Sequence, residues 1–237
     1  MLNDIPLLCG IKMIRIKVLA YTPNPERMIA LAARQTRLKK DVSMNDIDDQ
    51  RTAMLIRKLL SLKHLSPFEH ASFTFLISGI SRVCTHQLVR HRLASYSQQS
   101  QRMVKIDKES FIIPPSIREN KKALEVFQKV VDEAVKGYDE LISLGIPLED
   151  ARYVIPQASE TKIVVTMNAR ELLHFFGLRL CKKAQWEIRK VAKLMLDEVK
   201  EIAPNIFEKA GPRCWDYGYC PEGDDECFKE MIKLKPP

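Results

Sequence analysis

Arg90-His91-Arg92-Leu93-Ala94-Ser95-Tyr96-Ser97-Gln98-Gln99-Ser100-Gln101-Arg102 sets three cationic or cationisable side chains side by side, then adds Ser, Gln, Tyr and Arg. A guanidinium is shaped for bidentate contact with phosphate, and Ser and Gln can hydrogen-bond a base or a sugar. Such a combination suits the gripping of a phosphorylated, ring-containing ligand. No apolar period runs through the stretch, so it reads as neither a core helix nor a half-buried strand.

Other groups of chemical interest lie on either side. Gln87, Arg90 and His91 stand three and four residues apart on a helix expected from about Ser81, which would put them on one face. A solvated basic helix end is the plain reading of Arg-His-Arg alone, and the Ser-x4-Ser-x-Arg frame that follows favours a ligand. His64-Leu-Ser-Pro-Phe-Glu-His70 carries two histidines and a glutamate. Its His-x5-His spacing around a proline does not put both rings on one helical face, so capping of the next strand or contact with a bound ring is preferred over a metal. Arg152 follows Glu149 and Asp150, and by itself would be a surface ion-pair partner of little energetic value. Asn168-Ala-Arg170-Glu-Leu-Leu-His174 opens a helix with Asn168 as its N-cap and polar groups at 168, 170 and 174. Trp186 reads as a core indole. Near the C-terminus, Cys214-x5-Cys220-x6-Cys227 lacks the tight C-x2-C of zinc ribbons, and Cys181 could add a fourth thiolate if the fold brings it near. Free thiols are the plain reading, a metal or a disulfide the alternatives, and no metal ligand is assigned.

The elements that must position these groups follow from patterning. A strand over Ile14–Ala20 ends at Tyr-Thr-Pro-Asn-Pro, and a helix follows over Glu26–Ala33. A second helix starts at Asp46–Arg51, with Met54, Leu55, Leu59 and Leu60 on its apolar face. Ala71–Ile77 alternates as a half-buried strand. Asn120 caps a long amphipathic helix bearing Leu124, Phe127, Val131, Ala134, Tyr138, Leu141 and Ile142, closed by Gly145. Pro147 opens a short helix to Val154. Ile163–Thr166 is β-branched and reads as a strand, and helices dominate from Ala169 to about Ile202. A single α+β domain results, expected as a central, mostly antiparallel sheet packed by long helices. Residues 1–12 read as an N-terminal extension, with Met13 an alternative start, 13–210 as the catalytic domain and 211–237 as a cysteine-containing tail.

The 237 residues, with 46% hydrophobic side chains and 29% charged ones, fit a globular protein with a real core. A net charge of +8 suits an anionic partner without choosing among nucleotide, nucleic acid and acidic lipid. No apolar run is long enough for a membrane span, and the N-terminus lacks the features of a secretory signal, so a cytoplasmic location with reduced cysteines is expected. With eight glycines, neither a Rossmann nor a P-loop fingerprint can be written. Any nucleotide must be held by side chains.

The frame Arg-His-Arg-x-x-Ser-x-x-x-x-Ser-x-Arg at Arg90–Arg102 resembles the signature of the flavin-dependent thymidylate synthases. Further matching elements occur in order: His-x-x-Pro-Phe-Glu-His at His64–His70, Ala-Arg-x-x-x-Pro at Ala151–Pro156, Asn-Ala-Arg at Asn168–Arg170, then Leu178-Arg179 and Ala-Gln-Trp-Glu-Ile at Ala184–Ile188. The resemblance implies a homotetramer with active sites at subunit interfaces. It implies FAD as cofactor, with NADPH and 5,10-methylenetetrahydrofolate as cosubstrates in the conversion of dUMP to dTMP without a cysteine nucleophile. It carries flavin-binding roles onto Ser66, Arg90, His91, Arg92, Gln98, Asn168, Arg170 and His174. Substrate-binding roles fall on Gln87, Arg90, Gln98, Gln99, Ser100, Gln101, Arg102, Arg152 and Arg179. Arg179 matches the residue that activates the uracil.

Some positions depart from that pattern. Ser97-Gln98 stands where many members have Asn-Glu, Met103 where tyrosine is common, His174 where some relatives have Asn, and Gln35-Thr36 where a small-aromatic pair is often found. A rival from another class, a basic protein binding nucleic acid, is disfavoured because the arginines are dispersed rather than set in one stripe with stacking aromatics. No membrane partner is expected.

Overall fold

The computed structural model describes residues 13–106 and 110–236; the expected extension over 1–12, with Cys9, lies outside the described residues. In chain order come β1 (Arg15–Tyr21), α1 (Pro25–Gln35), α2 (Asp49–Ser61), β2 (Ser72–Ser81), α3 (Arg82–Leu88) and β3 (Ala94–Gln98). Then follow α4 (Pro115–Arg118), α5 (Lys121–Ser143), α6 (Leu148–Ala151), β4 (Glu160–Asn168), α7 (Ala169–Arg179), α8 (Trp186–Ile202), α9 (Pro204–Phe207), α10 (Arg213–Tyr217) and α11 (Asp225–Ile232). A 3-10 turn over Ser66–His70 leads into β2.

The strands form one sheet in the order β1-β2-β4-β3. Thr22 N donates to Ser72 O at 2.9 Å, and Gly79 lies against Met13 at the other end, so β1 and β2 are antiparallel. Ala169 N donates to Ala71 O at 2.7 Å and Arg82 N to Ser159 O at 3.0 Å, which sets β2 antiparallel to β4. On β2, Phe73, Phe75 and Ile77 are buried while the residues between them are half-exposed, the period-two pattern of a sheet with one face on a core. The α+β class and antiparallel sheet read from the sequence are those of the structure.

Two expectations are overturned around Arg90. The segment after Arg92 shows no apolar period, yet Ala94–Gln98 is β3, at the sheet edge, with Ala94, Tyr96 and Gln98 turned inward and Ser95 and Ser97 exposed. Alternation is present but two of its three inward members, Tyr96 and Gln98, carry polar groups, so an apolar period misses it. The Tyr96 hydroxyl lies 2.8 Å from the carbonyls of both Leu88 and His91, and these bonds replace the apolar contact a half-buried strand would use. The expected shared face of Gln87, Arg90 and His91 is also not formed, because α3 ends at Leu88.

Contacts resolve two compact units. One comprises Ile77–Gln87 and Ser97–Ile163, together with residues 13–15. Its core is built on α5: Val131, Val135 and Tyr138 pack with Ile106, Phe111 and Ala151, and Phe127, Leu141 and Ile142 flank them. The helix begins where Asn120 Oδ1 accepts the Ala123 amide at 3.1 Å, as the sequence indicated. It ends before Gly145, whose φ of 83° suits a residue without a Cβ.

The other unit comprises Ile16–Leu76, Leu88–Tyr96 and Val164–Pro237. Its core runs through Phe73, Phe207, Phe176 and Phe175, with successive ring centroids 5.6, 6.0 and 5.7 Å apart. Two expectations fail in this unit. The buried face of α2 is Thr52, Ile56 and Leu59, spaced four and three residues apart, and Met54, two residues before Ile56, points outward at 60% exposure. Trp186 is only half-buried at the start of α8, and its neighbour Glu187 is the buried residue.

Gly79 sits within β2 at φ +72°, and a Cβ there would meet the Met13 carbonyl oxygen at 2.5 Å. Both the left-handed backbone and the close approach require glycine. Gly79→Ala is expected to cost more than about 1 kcal/mol, read as a lower midpoint in urea denaturation.

Candidate active site

The centre of the second unit is a chain of polar groups buried beneath aromatic rings. Asn168 caps α7, its Oδ1 accepting the Glu171 amide at 2.9 Å, which fixes the first turn of the helix. Glu171 and His91, at 5% and 4% exposure, meet with Nδ1 3.0 Å from Oε1 although 80 residues separate them. On the other side of the same ring, Arg179 Nε lies 3.0 Å from His91 Nε2. A guanidinium can only donate, so Nε2 must accept and the ring proton must sit on Nδ1, pointing at the carboxylate. The network thus assigns the tautomer. Phe175 packs edge-on against the ring at 4.9 Å and His174 at 5.8 Å.

Electrostatics agree with that assignment. Burial, with help from Arg179, His174 and Arg213, pushes the His91 imidazole down to about 4, so it is neutral at neutral pH. Burial pushes the Glu171 carboxyl up. Their contact is therefore a hydrogen bond from a neutral ring rather than an ion pair. Burial, then the nearby Glu171, also raises Tyr96, so its phenol stays protonated.

His91, Glu171 and His174 have ligand atoms within 4.8 Å of one another, a spacing that could hold a cation. The hydrogen bonds decide against it. Both nitrogens of His91 are engaged, and a permanent cation, Arg179, already stands at one of them.

Around this chain lie the other residues named from the sequence. Arg90 and Arg92 flank His91, are exposed, and have no acidic partner among the described residues. Ser66 is exposed at the start of the 3-10 turn, and Arg170 pairs with Glu69 of the same turn. His174 is exposed, its Nδ1 3.3 Å from a terminal nitrogen of Arg213, and burial and that guanidinium lower its pKa.

The first unit holds the remaining group. Gln98 donates to Thr85 and Thr161 hydroxyls at 3.0 and 3.3 Å, and Gln101 donates to Ser159 at 3.1 Å. The Gln99 carbonyl lies 3.4 Å from Arg82, and Gln87 is half-buried on α3. Ser100 Oγ accepts the Arg102 amide at 3.1 Å. Arg102 pairs with Glu149 at 2.5 Å, and the Glu149 carbonyl accepts from Arg152 Nε at 2.9 Å. Burial, then the charge of Arg152, lowers the pKa of the Arg82 guanidinium.

Glu171, Arg82, Arg213 and Tyr96 were missed by sequence reasoning. Arg82 left one signal: it is the first residue of α3, and a cation at the positive end of a helix is unfavourable unless something else uses it. Glu171 looked like ordinary first-turn acid, and only the fold brings His91 to it.

The structure is an antiparallel α+β scaffold with exposed guanidinium groups at Arg90 and Arg92 and a guanidinium held by a neutral buried histidine. Residues 17–205 match the family model described as thymidylate synthase complementing protein. The chain is 50% identical over 224 residues to a flavin-dependent thymidylate synthase of Geobacter sulfurreducens, covering 91% of this chain and 94% of that one. It is 48% identical over 239 residues to the Pyrococcus furiosus protein of the same name, covering 93% and 96%. A solved UMP/dUMP methylase, PolB from Streptomyces cacaoi bound with 5-Br dUMP, superposes with a TM-score of 0.74 at 25% identity, over 83% of this chain and 94% of that one. This chain belongs to the flavin-dependent thymidylate synthase family. No helix among the described residues is long and apolar enough to cross a membrane.

The depressed pKa of His91 has a consequence for stability. The unfolded chain takes up this proton near pH 6.5 and the folded one only near 4, so stability is lost as pH falls through that window and is level above it. The raised Glu171 acts with opposite sign, above the usual carboxylate range, so the test compares slopes. Between pH 6.5 and 4, His91→Gln is expected to remove up to about 1.4 kcal/mol per pH unit from the slope of unfolding free energy. Denaturant titrations of both proteins across that range provide the check.

Proposed function

We propose that this chain catalyses the reductive methylation of dUMP to dTMP, with FAD as cofactor, 5,10-methylenetetrahydrofolate as carbon donor and NADPH as the source of electrons. The proposal includes a homotetramer in the cytoplasm with active sites at subunit interfaces. Family membership supports the reaction, and the observation that carries the mechanism is the Arg179 guanidinium fixed on His91.

Methylation at C5 requires the uracil ring to act as a carbon nucleophile, and negative charge held on its N3 and O2 side makes it one. A planar cation held in advance at that edge stabilises this charge without reorganising as it forms. The Nε–Nε2 bond fixes the plane of Arg179, and Glu171 fixes the ring behind it. A charged imidazole would repel Arg179; the neutral, buried His91 leaves it undisturbed. Ser100 binds rather than attacks: its oxygen receives the Arg102 amide, and no imidazole or carboxylate is bonded to it among the described residues. With it, Gln87, Arg90, Gln98, Gln99, Gln101, Arg102 and Arg152 take the nucleotide, the arginines and Ser100 at its phosphate. The Arg82–Arg152 repulsion supports an anion at this place.

The donor set also fits FAD. Arg90 and Arg92 are exposed cations without acidic partners among the described residues, suited to a pyrophosphate, with His91 between them. Ser66, Gln98, Asn168, Arg170 and His174 supply the polar contacts of the remainder. When bound, the flavin supplies the hydride that completes the methyl group. Large exposed apolar side chains beside these residues, Leu93 at 69%, Met103 at 83% and Tyr153 at 83%, support burial of the sites between subunits.

The purified protein is expected to show flavin absorbance. Arg179→Ala should keep that absorbance while turnover falls by roughly 10²–10³, the loss of about 2.7–4 kcal/mol of charge stabilisation; wild-type turnover would refute the role of Arg179. Ser100→Ala should raise KM for dUMP and retain product formation, checked by steady-state kinetics, whereas complete inactivity with unchanged dUMP affinity would restore Ser100 as a nucleophile.

A further inference from the structure

Cys181, just beyond α7, Cys214 on α10, Cys220 in the following loop and Cys227 on α11 line one pocket, although 46 residues of chain separate the first from the last. The mechanism uses none of them, and all four are free thiols. Cys214 is buried, and the other three are half-buried.

The surroundings are built rather than incidental. Cys227 lies in the first turn of α11, its amide held by the Asp224 cap at 2.9 Å. Lys183 pairs with Asp224 at 2.6 Å and Lys182 with Glu230, so two ammonium groups stand beside the thiols. The Trp215 indole donates to Met231 O at 2.7 Å and ties α10 to α11. Four soft donors from four places along the chain match the ligand set of a closed structural metal site. The cavity volume of about 70 Å³ exceeds the roughly 10–15 Å³ that a single water needs, so an ion has room there.

We propose that Cys181, Cys214, Cys220 and Cys227 bind one zinc ion as four thiolates and thereby lock the C-terminal helices onto α7. Each thiol loses one proton on binding, and no redox change accompanies it. The sulfurs line the pocket without yet standing as a tight tetrahedron, since the one such group of potential ligands among the described residues is His91, Glu171 and His174. Gly218 and Gly223, at φ of 74° and 71°, bracket the Cys220 loop, where a residue without a Cβ suits the left-handed backbone.

The site is tested with reduced, flavin-loaded protein and cobalt(II) as the spectroscopic probe. A single equivalent should give the intense visible bands of tetrahedral thiolate ligation, at longer wavelength than the flavin, and zinc should displace it. Elemental analysis should find zinc in protein purified without chelator. Cys227→Ser should weaken cobalt binding by at least about 10-fold, the smallest effect usual even for a partner outside the ligand set. Cys84→Ala and His174→Ala should leave it unchanged. If the serine variant fails to fold, the cobalt spectrum of the intact chain still decides. Octahedral bands, no binding with all thiols reduced, loss of binding in His174→Ala, or iron with acid-labile sulfide in place of zinc would each overturn the proposal.

Discussion

The contact on which the rest depends is the pair of hydrogen bonds across the His91 ring, to Glu171 on one side and Arg179 on the other. A guanidinium on a free side chain samples many rotamers, and holding it still costs entropy. Here the Nε is spent on a ring that is itself wedged by Phe175 and oriented by a carboxylate. The helix carrying Glu171 and Arg179 is fixed in turn by the Asn168 cap and by the aromatic core beneath. Packing, capping and tautomer choice therefore converge on one direction for one charged group.

Burial is what makes this arrangement work. In water an imidazole near two arginines would still be protonated part of the time; desolvation removes that option and leaves a lone pair for Arg179. The same desolvation raises Glu171, which stops the carboxylate from competing with an anionic ligand as strongly as an exposed acid would. Tyr96 completes the enclosure by binding the carbonyls on either side of the turn that presents Arg90.

Much of this was legible in residue order. Asn120 and Asn168 are the caps they were read to be, the apolar stripe of α5 builds a core, and Ile163–Thr166 is a strand. What patterning could not supply was any contact whose partner is remote. Glu171 has no sequence feature that points to a histidine 80 positions away. The strand β3 escaped because tyrosine and glutamine occupy its inward positions, and their suitability for burial exists only once Leu88, His91, Thr85 and Thr161 are in place. Met54 failed for a simpler reason: the apolar residues of α2 are spread around the helix, and the stripe that packs is Thr52, Ile56 and Leu59, which leaves Met54 on the opposite side.

Arg82 and Arg152 carry a consequence beyond binding. Their mutual repulsion is tolerated in a half-buried position where a carboxylate between them would have been the stabilising choice. Any substitution that placed an acid there would make the chain sturdier and at the same time fill the seat of an incoming anion. Selection for robustness and selection for turnover therefore pull this part of the molecule in opposite directions, and the most thermally resistant variants found at these positions should be the poorest enzymes.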